Sequence, residues 1–175
     1  MLRKLILMAV VVVGMLLAYA ATRPAEFLIQ RTVTIDAPAE RVFLLINDLD
    51  NWRQWSPWED KDPAMRRERA GADEGPGSTY AWSGNAEVGT GRMEITGSES
   101  PRQVVLRLDF AAPMEAHNQV EFLLAPSGTA TQVTWSMTGR NNFLGKLAGM
   151  FIDVEGMVGR DFETGLANLK QAAES

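Results

Sequence analysis

The segment that decides the fold is Phe27–Trp58, which reads FLIQRTVTIDAPAERVFLLINDLDNWRQWSPW. Its first part, Phe27–Ile35, alternates between apolar and polar side chains, and this pattern predicts a strand with one buried face on which Arg31 is the exception. Asp36–Glu40 then predicts a helix start, because proline suits the first helical turn and an early carboxylate is favourable at a helix N-terminus. The folded domain therefore opens with a strand that leads directly into a short helix.

Three tryptophans follow within seven residues, at Trp52, Trp55 and Trp58, although the whole chain has only five. Most large aromatic side chains serve packing, so the favoured interpretation is a plug that closes one end of the core. The alternative is a rim around a ligand entrance. The acidic residues between them do not fit a calcium loop, because Trp52 and Arg53 occupy the places of its Asp/Asn and Gly, and no metal site is predicted.

Further strands are predicted downstream, because short segments alternate apolar and polar residues between turns. The predicted strands are Arg66–Ala70, Ser78–Gly84, Arg92–Thr96, Val104–Phe110, Met114–Leu124 and Thr131–Gly139. The tail, Phe143–Ala173, carries an apolar stripe at helical spacing, although its five glycines predict a kink or a later helix start. The expected class is α+β: a curved antiparallel sheet of about six or seven strands wrapped on a long C-terminal helix.

The first 21 residues predict a membrane helix. Arg3 and Lys4 precede an uncharged run from Leu5 to Ala21, which reaches the lower limit of a spanning segment. A cleaved signal peptide is the alternative, since Ala18–Ala20 resembles a cleavage site, but the run is long for a signal peptide. The division is therefore an anchor or signal at 1–21, a linker at 22–26 and a domain at 27–175. The two cations predict that the domain lies on the extracytoplasmic side.

Composition excludes several classes of function. The chain has no cysteine, which excludes disulfides, thiolate catalysis and Cys-ligated metals. It has one histidine, His117, which the strand pattern places on a polar face with Glu115 and Glu121, and only a register shift of one residue would turn it inward as a general base. The net charge of −5 disfavours nucleic-acid binding. No catalytic residue and no cofactor are predicted.

The inward-facing set is rich in methionine and aromatic residues, which form adaptable walls around apolar ligands. Filling of a solid core is the more common use of such residues. If a pocket exists, its predicted ligand-binding residues are Trp52, Trp55, Trp58, Trp82, Met93, Met114, Trp135, Met137, Met150 and Phe151.

Four stretches carry a family resemblance: the opening segment, GPGSTYAWSGNAEVGTGRMEIT, VTWSMTGRNNF and DFETGLANLK. Together they resemble the polyketide cyclase-like branch of the START/Bet v 1-like (SRPBCC) superfamily over about Phe27–Ala173. The resemblance implies a helix-grip fold with a deep apolar cavity between the sheet and the long helix. It implies no catalytic residue, because no shared catalytic motif can be matched onto this sequence.

Three functions remain open at this point. The first is a membrane-tethered, non-enzymatic domain that binds a small hydrophobic molecule or lipid. The second is a polyketide cyclase-like enzyme, for which Arg31 and Asp48 are the inward ionisable candidates. The third is a protein-interaction domain at the membrane, whose partner the sequence does not identify.

Overall fold

A computed structural model describes residues 2–175. It contains five α-helices, one short 3₁₀ helix and seven strands in the described chain. In chain order these are α1 Leu2–Thr22, β1 Glu26–Ile35, α2 Ala39–Asn47, the 3₁₀ helix Asn51–Gln54, α3 Pro57–Lys61, β2 Arg66–Gly71, β3 Ser78–Ser83, β4 Thr90–Glu99, β5 Gln103–Ala112, β6 Ala116–Ser127, β7 Ala130–Arg140, α4 Phe143–Ala148 and α5 Val154–Glu174. The predicted α+β class is confirmed.

The seven strands form one antiparallel sheet in the order β1-β7-β6-β5-β4-β3-β2. Within residues 2–175, strands β2 to β6 each pair with the next strand along the chain, and β1 pairs with the distant β7. The alternation that predicted the strands appears directly as burial: Val133, Trp135 and Met137 are buried on the inner face of β7, while Gln132 and Thr138 are exposed. Register shifts within β4 and β5 accompany the curvature of the sheet.

Helix α5 lies across the inner face and runs in the same direction as β1. Arg31 Nε donates to Glu163 at 2.6 Å, and Lys170 Nζ donates to the Thr34 carbonyl at 2.8 Å. Gly165 lets the helix approach the sheet closely, because a Cβ there would come within 2.8 Å of the Trp135 ring. This arrangement confirms the predicted helix-grip architecture.

The tail is not one continuous helix from Phe143. Helix α4 ends at Ala148, and α5 begins only at Val154, where the Asp153 side chain accepts a hydrogen bond from the Gly156 N–H. The expectation that Phe151 faces inward is therefore wrong: it lies between the two helices and is 74% exposed. The glycines that predicted a later helix start explain the difference, since they weaken helix propagation.

Met114 also lies outside the interior. Strand β6 begins at Ala116, so Met114 belongs to the connection between β5 and β6, and its side chain is 60% exposed. The alternation had extended this strand by two residues beyond its true start. The inward position expected for Met114 is therefore corrected.

Candidate functional site

The interior between sheet and helix has two unlike halves, and the first is filled by aromatic rings. Trp135 stacks on Phe162 with ring centroids 4.1 Å apart and contacts Trp55 edge-on at 5.6 Å. Trp52 and Trp55 lie 4.7 Å apart, and both meet Phe122 edge-on. We call these five residues, Trp52, Trp55, Phe122, Trp135 and Phe162, the closed end; all are at most 4% exposed.

Hydrogen bonds fix two of the closed-end indoles. Trp52 Nε1 donates to the Ile46 carbonyl and Trp55 Nε1 donates to the Leu45 carbonyl, each at 2.9 Å. Both acceptors lie in the last turns of α2, so the tryptophan segment is fastened to the helix that precedes it. The buried Nε1 of Trp135 has no partner among the described residues. The geometry of Trp52 and Trp55 thus matches the plug interpretation.

The second half of the interior is a strip of the same sheet face on which Trp82, Met93 and Leu108 pack against the buried core but stay only half-buried. A row of directly opposed residues crosses six strands, followed by a shorter row nearer the strand ends. The first row is Phe27, Gly139, Asn118, Leu108, Met93 and Tyr80, and the second is Ala116, Phe110, Gly91 and Trp82. Eight members of the two rows are half-buried, and we call five of them the open end: Trp82, Met93, Leu108, Phe110 and Asn118.

The Trp82 ring lies against Gly91 of the neighbouring strand β4. Its Nε1 donates to the Val88 carbonyl at 2.9 Å, and its ring meets Phe110 edge-on at 5.6 Å. A Cβ at Gly91 would lie 2.5 Å from the Trp82 ring, so only glycine leaves room for it there. These contacts therefore fix the position of the Trp82 ring in the open end.

Asn118 is the polar residue of the open end, and sequence reasoning missed it. It lies opposite Leu108 and Gly139, and its side chain has no hydrogen-bond partner within residues 2–175. The sequence does predict that it faces inward, because residues 118, 120 and 122 lie on the same face of an alternating strand. A few polar groups in an apolar wall are what orient a ligand in most binding sites, so Asn118 is a candidate for that role.

The ten predicted ligand-binding residues do not form one cluster. The structure gathers Trp52, Trp55 and Trp135 in the closed end and Trp82 and Met93 in the open end.

The remaining five are dispersed. Trp58 is half-buried on α3 and meets Trp135 and Phe162 edge-on, and Met137 is buried on β7. Met150 is half-buried in the α4–α5 connection, whereas Met114 and Phe151 are exposed. Ligand contact by any of the ten stays a prediction.

The ionisable residues considered for catalysis are already engaged. Arg31 does face inward, but its guanidinium pairs with Glu163 and lies against Gly159. The Asp48 carboxylate accepts hydrogen bonds from the Asp50 N–H and from the Asn51 side chain, so it stabilises a turn. Neither group is free at the open end.

A polar cluster formed by α3, β2 and β3 had no signal in the sequence. Tyr80 donates from its hydroxyl to Glu59 at 2.7 Å, and Arg67 pairs with the second Glu59 oxygen at 2.6 Å. Burial, together with the hydrogen bond to Glu59, raises the pKa of Tyr80 well above its ordinary value, so the phenol stays neutral. Because both of its carboxylate oxygens are engaged, Glu59 is not a free base.

His117 lies on the outer face, as its alternation predicted, and is 69% exposed. Its Nδ1 lies 2.8 Å from an Asp109 oxygen, and this contact raises the pKa of His117 above its usual 6.5. Within residues 2–175, no group of three or more His, Cys, Asp or Glu side chains could hold a metal ion.

Comparison with known proteins agrees with this geometry. A family model described as polyketide cyclase/dehydrase and lipid transport matches residues 26–174. The chain belongs to this family. The resemblance to the START/Bet v 1-like superfamily is thereby confirmed, and no curated protein sequence matches the chain.

Solved structures share the fold at low identity. Protein CV1439 from Chromobacterium violaceum aligns with a TM-score of 0.62 at 15% identity, over 85% of this chain and 97% of that one. The Aha1 dimer protein from Colwellia psychrerythraea aligns with a TM-score of 0.61 at 17% identity, over 85% and 96%. Ara h 8.0201 aligns with a TM-score of 0.56 at 12% identity, over 85% and 95%. At such identities these likenesses establish the fold alone.

Proposed function

We propose that this protein is a membrane-tethered domain that binds a small hydrophobic molecule or a lipid at the open end of the grip. The observation that carries the proposal is the half-buried apolar strip of inner sheet face. Leu108, Phe110 and Trp82 are only half-buried there, although the same face is sealed by aromatic rings a few residues away. Covering such apolar surface is favourable by about 25 cal/mol per Å². The description of the family as including lipid transport supports the same assignment.

The tether is α1. It is 21 residues long with a mean hydropathy of 2.5, and only Ala20 in it is buried. At 1.5 Å per residue it measures about 31 Å, which matches the hydrocarbon thickness of a bilayer. We propose that it is retained as an anchor. We place the domain on the extracytoplasmic side, because Arg3 and Lys4 precede the apolar run and favour a cytoplasmic start.

Photolabelling of the full chain in nanodiscs tests the ligand site. A diazirine-bearing fatty acid is incorporated in the bilayer, and labelled peptides are located by mass spectrometry. We expect labels on the strand segments around Met93 and Leu108, in addition to α1. Labels confined to α1 and to outward-facing segments would refute the site.

A matched pair of variants sharpens this experiment. Leu108→Trp places an indole in the open end, whereas Leu123→Trp makes the same change on the exposed outer face of β6. We expect Leu108→Trp to abolish the inner-face labels and Leu123→Trp to leave them unchanged. Equal labelling in both variants would mean that the fatty acid does not occupy the open end.

The side of the membrane has its own test, which the absence of cysteine makes simple. Leu44→Cys puts a single thiol at a position that is 55% exposed on the domain. In intact cells, a maleimide that cannot cross the membrane should label it without permeabilisation. Labelling only after permeabilisation would place the domain in the cytoplasm. Loss of α1 from the intact mass of the purified protein would show a cleaved signal.

The enzymatic alternative needs an ionisable group that can reach a ligand at the open end. Arg31 and Asp48, its two inward candidates, are held by Glu163 and by turn hydrogen bonds. No observation in the described residues therefore favours it over binding. The protein-interaction alternative likewise has no specific support.

A further inference from the structure

A second apolar surface lies outside the grip, at the junction of α4 and α5. Its six side chains are between 44% and 74% exposed: Phe143, Leu144, Phe151, Ile152, Val154 and Met157. We call them the junction patch. These six exposed apolar side chains fall within 15 residues of sequence, and a large exposed apolar patch is typical of an interaction site.

The chain path places the junction patch beside the end of α1. Only residues 23–25 separate Thr22 from β1, so the linker spans at most about 11 Å. Glu26 pairs with Arg140 at the end of β7, and the Asn141 N–H donates to the Ala25 carbonyl at 2.7 Å. Helix α4 follows directly and packs against α1. The junction patch therefore adjoins the C-terminal end of α1.

Helix α5 contributes to the same end of the domain. It runs parallel to β1, because Glu163 meets Arg31 while Glu174 meets Asp36 at the opposite end of the strand. Its first turns, with Val154 and Met157, therefore lie where β1 begins. The open end lies there too, since Phe27 at the start of β1 shares a row with Leu108 and Met93.

We propose that the junction patch lies in the interfacial layer of the bilayer that holds α1, so that the open end of the grip faces lipid. The inference rests on the proposed anchor. The occupant is a lipid surface because the patch adjoins the apolar helix and because the three-residue linker keeps this end of the domain at the membrane. A ligand could then pass from the bilayer to the open end without crossing water.

A site-specific quenching experiment tests the orientation. Phe151→Cys in the cysteine-free full chain is labelled with the environment-sensitive fluorophore NBD and reconstituted in nanodiscs that contain doxyl-phosphatidylcholine. The control is Leu44→Cys on α2, which is 55% exposed and lies at the other end, where Asn47 contacts Ser98 and Gly75. We expect NBD at residue 151 to lose at least about half its emission, because interfacial segments insert roughly 5–10 Å. NBD at residue 44 should be unaffected.

Three results would overturn the proposal. The first is equal, weak quenching at both sites in protein whose intact mass shows that α1 is present. The second is blue-shifted emission at residue 151 without doxyl quenching, which would show that a second protein surface covers the patch. The third is quenching that Ile152→Asp leaves unchanged, because a carboxylate is costly within a bilayer.

The orientation and the ligand site can fail separately. Quenching at residue 151 with no fatty-acid label near Leu108 would retain the orientation and refute the binding function. Labels near Leu108 without quenching at residue 151 would retain the binding function and refute the orientation. Far-UV circular dichroism of each variant confirms that the exposed substitutions leave the fold intact.

Discussion

The closed and open ends of the grip are built from one sheet face, yet they differ in what covers it. At the closed end, the segment after α2 brings Trp52 and Trp55 over the sheet, and α5 approaches closely at Gly165. At the open end, Trp82 and Leu108 pack against the buried core, yet these two side chains and Phe110 stay half-buried. The sheet face alone therefore does not decide whether the interior is core or pocket; the covering segments do.

The largest expected contrast comes from truncating one tryptophan at each end. Trp55→Ala should lower the free energy of unfolding by about 3–5 kcal/mol, because it removes a fully buried ring from contact with Trp52, Phe122 and Trp135. Trp82→Ala should cost only about 1–2 kcal/mol, because its ring is half-buried. Urea unfolding measures both. Similar costs would mean that the open end is packed as tightly as the closed end.

Two enlarging substitutions in α5 should show that the larger added side chain costs less stability where the helix is less tightly packed. Gly165→Val should destabilise by about 1–3 kcal/mol, since a Cβ there already meets the Trp135 ring at 2.8 Å and Pro57 at 2.9 Å. Val158→Phe adds more atoms at a half-buried position and should cost less than about 1 kcal/mol. Thermal or urea unfolding compares them. A larger loss for Val158→Phe would mean that α5 is packed more tightly at Val158 than at Gly165.

Within the closed end, the same Trp→Phe substitution at two positions should separate the contribution of a hydrogen bond to stability from that of packing. Trp55→Phe removes a ring nitrogen that donates to the Leu45 carbonyl, whereas Trp135→Phe removes one with no partner. Because a broken buried hydrogen bond costs about 1–3 kcal/mol, Trp55→Phe should be the more destabilising by that amount. Equal losses in urea unfolding would indicate that Trp135 Nε1 is satisfied by a water molecule.

The smallest expected effect is a change in stability with pH. It should arise from His117 at one end of the outer surface and not from the Lys170–Glu174 pair at the other end. The hydrogen bond to Asp109 raises the pKa of His117, which is exposed beside the start of β6. Because the folded pKa is the higher, the pair stabilises the protein fully below the unfolded pKa near 6.5, and this contribution is lost as pH rises through the folded value.

NMR titration should show His117 above 6.5, and Asp109→Asn should lower its pKa towards that value. The pair at the other end, Lys170 and Glu174, serves as the reference. Each residue shifts the pKa of the other away from neutrality, so neither side chain should change its protonation state between pH 6 and 8. A His117 pKa unchanged by Asp109→Asn would refute the contact.

Sequence reasoning succeeded where burial repeats with a fixed period. The alternation in Val104–Phe110 and Thr131–Gly139 predicted β5 and β7 to within a few residues and assigned their inner faces correctly. It failed where the chain changes element, at Met114 before β6 and at Phe151 between α4 and α5. Periodicity carries no information on where an element ends.

The candidate site was less predictable than the fold because it depends on contacts between elements far apart in sequence. The glycine at 91 that admits the Trp82 ring, and the glycine at 159 that admits the Arg31 guanidinium, are readable only from the packed structure. Asn118 was missed for another reason. Its amide interrupts the apolar alternation at an inward position of β6, so hydrophobic periodicity alone gives it no role.

The brevity of the segment between Thr22 and Glu26 limits what an anchored form of this protein can do. A carrier that ferries cargo between two membranes must cross an aqueous gap, and three residues give the domain no such reach. Under the proposed function, an anchored protein would instead collect a lipid and hand it over within a single leaflet, to an acceptor that comes to the same patch of membrane.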